Sequence, residues 1–253
     1  MKIGAQLFTL RDFCRNTEDF AETLKRVADI GYTTVQVSGT CGYEPEWLAE
    51  ELRKNGLRCV ITHYPPDQIK EDPAGVVAKH RVFDCRYIGI GCLPGHAGGL
   101  GEFERFVTEY LPVAQALCEN GAYMMYHNHS FEFNHIEPGV TYLERIAALF
   151  PAEQLGFTLD TYWVQSGGGN PAEWIRRLSG RVPCIHLKDM TMCGSDQHMA
   201  AVGSGNINFV PILAAAEDAG TEYLLVEQDD CYGRDPFEEL ASSYRYLKAQ
   251  GLS

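Results

Sequence analysis

The most constraining feature of this sequence is a repeated boundary motif. In each copy a polar residue and a glycine end an apolar helical segment just before a short apolar run. Glycine adopts the left-handed conformation that closes a helix, and a short run of Val, Ile and Leu is typical of a buried strand. The pattern occurs at Asp29-Ile30-Gly31, Lys54-Asn55-Gly56, Glu119-Asn120-Gly121 and Asp218-Ala219-Gly220. The repetition predicts a regular alternation of helix and strand, which implies parallel strand pairing.

Extending this pattern over residues 1–253 predicts eight strands and eight helices. The helical segments carry one apolar stripe each, as in Thr17 to Ile30. The predicted strands lie near residues 3 to 8, 34 to 37, 59 to 63, 87 to 91, 122 to 127, 156 to 160, 182 to 188 and 223 to 227. Eight such units in 253 residues predict an α/β fold in which a single domain forms a (β/α)8 TIM barrel. An open doubly wound sheet is the alternative, but the first strand-to-helix turn, Phe8-Thr9-Leu10-Arg11-Asp12, has no glycine-rich phosphate loop.

The charge balance limits the partners that this chain can have. Its 21 basic and 34 acidic residues give a formal net charge of −13, which repels nucleic-acid phosphates and anionic membrane surfaces. No apolar run approaches the roughly 20 residues of a membrane span, and the segment from Met1 to Gln6 lacks the apolar centre of a signal peptide. We therefore expect a cytoplasmic protein with a small-molecule partner and no nucleic-acid or membrane partner, and self-association into a homo-oligomer is left open.

Nine cysteines are present, but their number is odd and no Cys-x-x-Cys occurs. Cys59, Cys118 and Cys184 lie within apolar strand or helix patterns, where a thiol packs as a small hydrophobe. We expect reduced cysteines and no zinc site built from them.

The segment Tyr126-His127-Asn128-His129-Ser130-Phe131-Glu132 places two imidazoles and a carboxylate at the end of a strongly apolar strand. Because side chains alternate along a strand, Met125, His127 and His129 are expected to point to the same side. Two hydrogen-bonded core histidines are the structural alternative.

Other predicted strands also end in polar residues. In a (β/α)8 barrel the carboxyl ends of the strands form the active site, so these side chains are expected to converge on one rim. The candidates are Gln6, His63, His127, His129, Glu132, Asp160, His186, Lys188 and Glu227. Each has a structural alternative by itself, for example a helix N-cap for Asp160 and a surface acid for Glu227, but such unrelated roles do not explain their common position.

The carboxylates and imidazoles of this rim are a mixed oxygen and nitrogen donor set without thiolates. Such a set suits one divalent ion such as Mn²⁺, Mg²⁺, Co²⁺ or Zn²⁺. In Cys184-Ile185-His186-Leu187-Lys188, alternation places the Lys188 ammonium beside the His186 imidazole. One of the two can bind a metal ion while the other holds a substrate oxygen.

These residues resemble the xylose-isomerase-like barrels, a family that includes sugar phosphate isomerase/epimerases, tagatose and psicose 3-epimerases and inosose dehydratase. The resemblance extends over nearly the whole chain. Its motifs are Gly4-Ala5-Gln6-Leu7 with Arg11-Asp12, Tyr126-His127-Asn128-His129 with Phe131-Glu132-Phe133, Leu159-Asp160, Ile185-His186-Leu187-Lys188-Asp189, Val202-Gly203-Ser204-Gly205-Asn206-Ile207 and Val226-Glu227.

The resemblance implies a ligand set of Glu, Asp, His and Glu from strands 5 to 8. Asp160, His186 and Glu227 match three of these positions, whereas His127 stands where the epimerases have the strand 5 glutamate. Glu132 is therefore predicted as the fourth ligand, with His127 or His129 as alternatives. The predicted catalytic residues are Glu132, Glu227, His127, His129 and Lys188, and the predicted substrate-binding residues are Gln6, His63, Asn128 and Lys188.

The implied activity is a sugar or sugar phosphate isomerase or epimerase, which removes a proton next to a carbonyl through a metal-stabilised enediolate. The additional imidazoles could protonate a leaving group, so a lyase or dehydratase of a keto-sugar or keto-inositol is the alternative. A non-enzymatic sugar-binding barrel is less favoured, and an endonuclease IV-like repair enzyme is disfavoured by the net charge of −13. The loop Gly203-Ser204-Gly205-Asn206 is either a backbone site for a phosphate or sugar hydroxyl or a plain tight turn.

Overall fold

The computed structural model describes residues 1–94 and 100–252, and its central element is a closed barrel of eight parallel strands. The strands follow one another around the barrel in chain order, and the last pairs with the first. They are β1 Lys2–Gln6, β2 Thr34–Val37, β3 Arg58–His63, β4 Tyr87–Ile90, β5 Tyr123–His127, β6 Leu155–Asp160, β7 Cys184–Leu187 and β8 Tyr223–Val226. This topology confirms the predicted (β/α)8 TIM barrel.

The helices pack around the barrel, and α1 shows why the sequence specifies them. Its first turn is capped by the Asn16 side chain, which accepts a hydrogen bond from the Asp19 amide, and Gly31 ends it with a φ of 119°. The α-helices are α1 Thr17–Ile30, α2 Pro45–Lys54, α3 Pro66–Glu71, α4 Pro73–Val82, α5 Leu100–Glu119, α6 Tyr142–Leu149, α7 Thr161–Ser166, α8 Pro171–Arg177, α9 Phe209–Asp218 and α10 Pro236–Ala249. None of these helices in the described part of the chain combines the length and apolar character needed to cross a bilayer.

The prediction of eight helices undercounts the described chain, because two strand connections contain two helices each. Proline at the first position begins a new helix in both cases. Pro73 opens α4 after the Asp72 cap, and Pro171 opens α8 after the Asn170 cap. The chain therefore turns sharply where a single longer helix was expected.

Four predicted strands, β1, β4, β7 and β8, end one or two residues earlier than expected. β1 ends at Gln6 because the Gln6 side chain accepts a hydrogen bond from the Phe8 amide and starts a 3-10 helix at Leu7–Phe13. β7 ends at Leu187, and the following Asp189–Cys193 pairs antiparallel with Asp196–Ala200 in a hairpin that the sequence did not predict. A smaller hairpin, His135–Glu137 with Val140–Thr141, follows β5. Both hairpins extend the loops at the carboxyl ends of the strands.

The barrel interior is apolar in its lower part and polar at the carboxyl ends of the strands. A buried cluster fills the lower part and consists of Val60, Ile61, Tyr87, Met125, Cys184 and Leu225. Above it, two glycines of the β4 region leave space for the His63 ring. A Cβ at Gly89 would lie 2.7 Å from the Thr62 carbonyl oxygen, and one at Gly91 would lie 3.2 Å from His63 Nδ1.

We expect Gly89→Ala to destabilise the fold by about 1–3 kcal/mol, the usual range for overpacking, since the new methyl group collides with backbone. Gly42→Ala is the matched control because its Cβ meets no atom within 4 Å, and it should leave stability unchanged or raise it by up to about 1 kcal/mol. Chemical denaturation of the two variants tests this, and equal stability of Gly89→Ala and the parent would contradict the packing described here.

Candidate metal centre

Four buried side chains converge at the carboxyl ends of the last four strands. His127 ends β5, Asp160 ends β6, His186 lies in β7 and Glu227 follows β8, and one donor atom from each lies within 4.8 Å of the others. The register of the sheet contributes directly, because Asp160 is paired with His186 across β6 and β7. We refer to His127, Asp160, His186 and Glu227 as the four-donor cluster.

The two carboxylates of the cluster each use one oxygen to bind the surrounding structure. Asp160 Oδ1 accepts a hydrogen bond of 3.0 Å from the Trp163 amide and so caps α7. Glu227 Oε1 accepts one of 2.7 Å from Gln6 Nε2. The second oxygen of each side chain is left facing the other members of the cluster. Asp160 is therefore both the N-cap of a helix and a potential ligand.

His127 is oriented by the loop that follows β4. Its Nδ1 lies 2.8 Å from the Gly91 carbonyl oxygen, and because a carbonyl only accepts, Nδ1 carries the hydrogen. Nε2 is then the nitrogen with a free lone pair, and it lies 3.4 Å from Asp160 Oδ2. Nε2 is thus the ring nitrogen that faces the cluster.

His186 is oriented in the opposite sense, by β2. Its Nε2 lies 2.6 Å from Gln36 Oε1 and donates to that oxygen. Its Nδ1 faces the cluster, 2.9 Å from Glu227 Oε2 and 3.7 Å from Asp160 Oδ2. Hydrogen bonding of the second ring nitrogen in this way is typical of metal-ligating histidines.

The cluster fits a divalent cation in both geometry and chemistry. Although charged groups lie close by, His186 Nδ1 and Glu227 Oε2 are buried and make no hydrogen bond of good geometry with any described residue. Both atoms face the other members of the cluster, so a cation placed between the four donors would contact them directly. Two imidazole nitrogens and two carboxylate oxygens are donors that suit Mn²⁺, Co²⁺ or Zn²⁺ and are compatible with Mg²⁺.

The Lys188 ammonium compensates the carboxylates of the cluster. It is 1% exposed and lies 3.0 Å from Asp160 Oδ2, 2.8 Å from Glu227 Oε2 and 3.0 Å from Asp229 Oδ2. Burial by itself raises the pKa of Asp160 and Glu227, but Lys188 and the nearby imidazoles outweigh it and hold both pKa values well below the usual range. Both cluster carboxylates are therefore ionised near neutral pH.

His186 holds a proton more firmly than an ordinary histidine. Burial by itself lowers the pKa of His186. The negative charges of Glu227 and Asp160 have a larger, opposite effect and raise the pKa to about 9. A divalent ion that binds Nδ1 must displace this proton, so metal binding is expected to weaken as the pH falls.

Glu132 lies outside the four-donor cluster. The 3-10 turn Phe131–Phe133 folds its side chain back, so that one oxygen accepts a hydrogen bond of 2.7 Å from the Tyr126 hydroxyl and the other one of 2.8 Å from the His129 amide. Burial raises its pKa to about 7, and these hydrogen bonds oppose the rise. The geometry of the cluster favours His127, the alternative, over Glu132 as the strand 5 ligand.

Two further imidazoles flank the cluster. The His63 ring lies 5.2 Å from the His127 ring, and the His129 ring lies 4.8 Å from it. His63 Nε2 and His129 Nδ1 are buried atoms without a hydrogen-bond partner among the described residues. Burial and the neighbouring His127 lower the pKa of both, that of His129 to about 3. Both rings are therefore neutral in these surroundings.

Gln6 and Asn128, predicted to bind substrate, are occupied in holding the cluster. Gln6 donates to Glu227 and accepts from the Phe8 amide, so both ends of its amide are used. Asn128 Oδ1 accepts a hydrogen bond of 3.0 Å from the Asp160 amide. The structure thus places both residues around the ligands, where they fix the position of the two carboxylates.

Three residues of the site were missed by the sequence reasoning. Gln36 is the one amide in the otherwise apolar and hydroxyl-bearing β2, Thr34–Val37, and that exception was a readable signal. Asp229 and Trp163 carry no such signal, because an acid or an indole near a loop is common. Trp163 forms a wall of the site, with its ring 5.1 Å from His129 and 5.4 Å from Lys188 Nζ.

The glycine loop after β7 is a structural turn. Asp189 accepts hydrogen bonds from the Gly203, Gly205 and Ile207 amides, each of 2.9 to 3.1 Å. The intervening Ser204 and Asn206 amides donate to the Ala201 and Met190 carbonyls. With these amides engaged, the loop offers no backbone site for a phosphate, which supports the tight-turn alternative.

Fold and site together define a TIM barrel with a candidate divalent-metal centre at the carboxyl ends of its strands. This chain belongs to the xylose isomerase-like TIM barrel family, whose model matches residues 24–250. A search of curated protein sequences found no match.

Solved structures with the same fold include an isomerase/epimerase, a 3-epimerase and a probable dehydratase. A sugar phosphate isomerase/epimerase from Parabacteroides distasonis is 24% identical over 98% of this chain and 93% of that one, with a TM-score of 0.82. An L-ribulose 3-epimerase is 17% identical over 100% and 95%, with a TM-score of 0.74. A probable 3-DHS dehydratase from Bacillus anthracis is 14% identical over 98% and 99%, also with a TM-score of 0.74.

The ligand assignment predicts opposite results for two glutamine variants. His127→Gln removes the Nε2 donor and should weaken Mn²⁺ or Zn²⁺ binding by about 10- to 100-fold or more. Glu132→Gln is the matched control, because its side chain serves Tyr126 and His129, and it should bind the ion nearly as the parent does. Calorimetric titration and elemental analysis measure both. Loss of metal in Glu132→Gln with full retention in His127→Gln would restore Glu132 as the ligand.

Proposed function

We propose that this protein is a divalent-metal-dependent isomerase or epimerase of a sugar or a sugar derivative. The observation that carries the proposal is the four-donor cluster at the barrel mouth, flanked by two imidazoles with unpartnered nitrogens. A divalent ion held by the cluster would act as a Lewis acid on a substrate carbonyl, which makes the neighbouring C–H bond more acidic. Epimerases of the same fold are consistent with this chemistry.

His129 is the proposed acid-base residue. Its Nδ1 is buried, has no partner among the described residues and lies in a ring 4.8 Å from the His127 ring. In the proposed reaction the His129 ring takes the proton from the carbon next to the carbonyl. If His129 returns the proton to the adjacent carbon, the product is an isomer. If a second group such as Glu227 supplies a proton from the opposite face, the product is an epimer.

Glu132 and Lys188 support this step in different ways. Glu132 accepts the His129 backbone amide, so it is proposed as a positioning residue for the acid-base imidazole. Lys188 lies between two cluster carboxylates and faces Trp163, where its ammonium can donate to a substrate oxygen that gains negative charge. Glu227, besides its place in the four-donor cluster, is proposed as a further catalytic group at the reacting centre.

A metal-dependent lyase or dehydratase is the second candidate. The observation that favours it is the presence of two imidazoles outside the cluster, His63 and His129, whose rings lie 5.2 and 4.8 Å from the His127 ring. Elimination needs one group to accept the α proton and another to protonate the departing oxygen. A probable dehydratase with this fold supports the same possibility.

The proposal predicts that His129→Gln keeps its metal but loses turnover. We expect a decrease of about 10²- to 10⁴-fold, the usual contribution of a positioned acid or base. A panel of keto-sugars incubated with the metal-loaded parent in D₂O should show deuterium at the carbon next to the carbonyl, and the variant should show far less. Turnover of a substrate without hydrogen at that carbon would refute the proposed proton abstraction.

Product masses separate the two candidates. A pair of interconverting products of equal mass indicates epimerisation or isomerisation, whereas an unsaturated product together with released water or alcohol indicates elimination. A sugar-binding protein without activity would give neither product and would bind sugars equally well after treatment with a chelator.

A further inference from the structure

A cavity of about 510 Å³ lies beside the metal centre. It is bounded by the segment of residues 37–45 after β2, by the start of the connection after β3 and by the last turns of α4. Sites for small ligands typically enclose about 300–1,000 Å³, so this cavity is large enough for a ligand ring of its own.

His63 separates the cavity from the four-donor cluster. Its ring lines the cavity and also lies 5.2 Å from the His127 ring and 5.7 Å from the His186 ring. None of the four donors lines the cavity among the described residues. A sugar ring with its carbonyl at the cluster therefore leaves the cavity on the far side of His63 for a part of the ligand that does not react.

The lining of the cavity indicates the chemistry of that part. Tyr43, Tyr64 and Phe83 supply aromatic surface, on which the C–H face of a sugar or the face of an aromatic ring can pack. Gln68 provides an amide for hydrogen bonding along a ring edge.

The charges of the lining are balanced, since it contains one cation, Lys79, and one carboxylate, Glu44. Both are exposed. This balance suits a neutral ring, whereas a phosphate would require an excess of cationic groups.

We infer that the substrate has two rings, and that the cavity binds a neutral second ring attached to the sugar that reacts at the cluster. The inference rests on the proposed function only for the chemistry of the reacting ring. The second ring is a sugar or an aryl group, which share an apolar face and a neutral charge. His63, at the junction, contacts the link between the two rings.

Non-reacting probes test the cavity independently of turnover. Methyl β-D-glucoside supplies one ring, methyl β-D-cellobioside adds a second sugar ring, and phenyl β-D-glucoside adds an aryl ring instead. Titration of the full metal-loaded chain, followed by saturation-transfer NMR, gives the three affinities. We expect at least one two-ring probe to bind at least tenfold more tightly than the one-ring probe, and the better of the two identifies the second ring.

Gly42→Trp fills the cavity without touching the cluster. A Cβ at Gly42, which lines the cavity, meets no atom within 4 Å, so the indole can enter the open space. The variant should bind the two-ring probe no more tightly than methyl β-D-glucoside. It should keep its metal and its affinity for methyl β-D-glucoside. Gly101→Trp is the matched control. Among the described residues, a Cβ at Gly101 in α5 also meets no atom within 4 Å, and Gly101 is not part of the cavity lining.

Three results would overturn the inference. The parent could bind one-ring and two-ring probes with equal affinity. Gly42→Trp could keep the higher affinity for the two-ring probe, or Gly101→Trp could lose that higher affinity to the same extent as Gly42→Trp. Because none of the probes has a free ketone, these results are separate from a failure of the proposed reaction. That failure would instead appear as missing metal or as missing deuterium exchange with keto-sugars.

Discussion

Each side chain of the four-donor cluster binds the barrel with one heteroatom and leaves the other facing its neighbours. Gly91, Trp163, Gln36 and Gln6 supply the fixed partners, and they come from the segments around β4, α7, β2 and β1. The free atoms are thereby aimed at one point before any ligand binds. Such preorganisation by surrounding hydrogen bonds is what gives protein metal sites their affinity and geometry.

The same arrangement concentrates charge where the barrel is least able to solvate it. Asp160 and Glu227 are 0% and 4% exposed, so each ionised carboxylate has lost nearly all of its contact with water. Lys188 and the His186 imidazolium supply positive charge, and a bound divalent ion would add more. The buried cluster in the lower part of the barrel interior removes apolar surface from water, and this favourable free energy offsets the cost of burying the charges. It consists of Val60, Ile61, Tyr87, Met125, Cys184 and Leu225.

The sequence predicted the barrel because its signals are local. Thr17–Ile30 forms a helix over the predicted residues, since an Asn cap, an apolar stripe and a glycine all lie within it or next to it. Asp160, His186 and Glu227 were located by their positions at strand ends. The hairpin formed by Asp189–Cys193 and Asp196–Ala200 was not predicted. Its residues are buried at the base and exposed towards the turn, so burial does not alternate along either strand.

The choice between His127 and Glu132 depended on contacts that sequence spacing does not show. Both lie after the same apolar run, and only the 3-10 turn Phe131–Phe133 decides that Glu132 faces Tyr126 and His129. Likewise, the hydrogen bond that His186 donates to Gln36 joins residues 150 positions apart.

A crystal structure of the protein grown with Mn²⁺, with anomalous data, tests the central claim most directly. We predict one anomalous peak at about 2.0–2.3 Å from His127 Nε2, Asp160 Oδ2, His186 Nδ1 and Glu227 Oε2, the distances usual for such ligands. A peak bound instead by Glu132 or by His186 Nε2, or no peak at the cluster, would contradict the account.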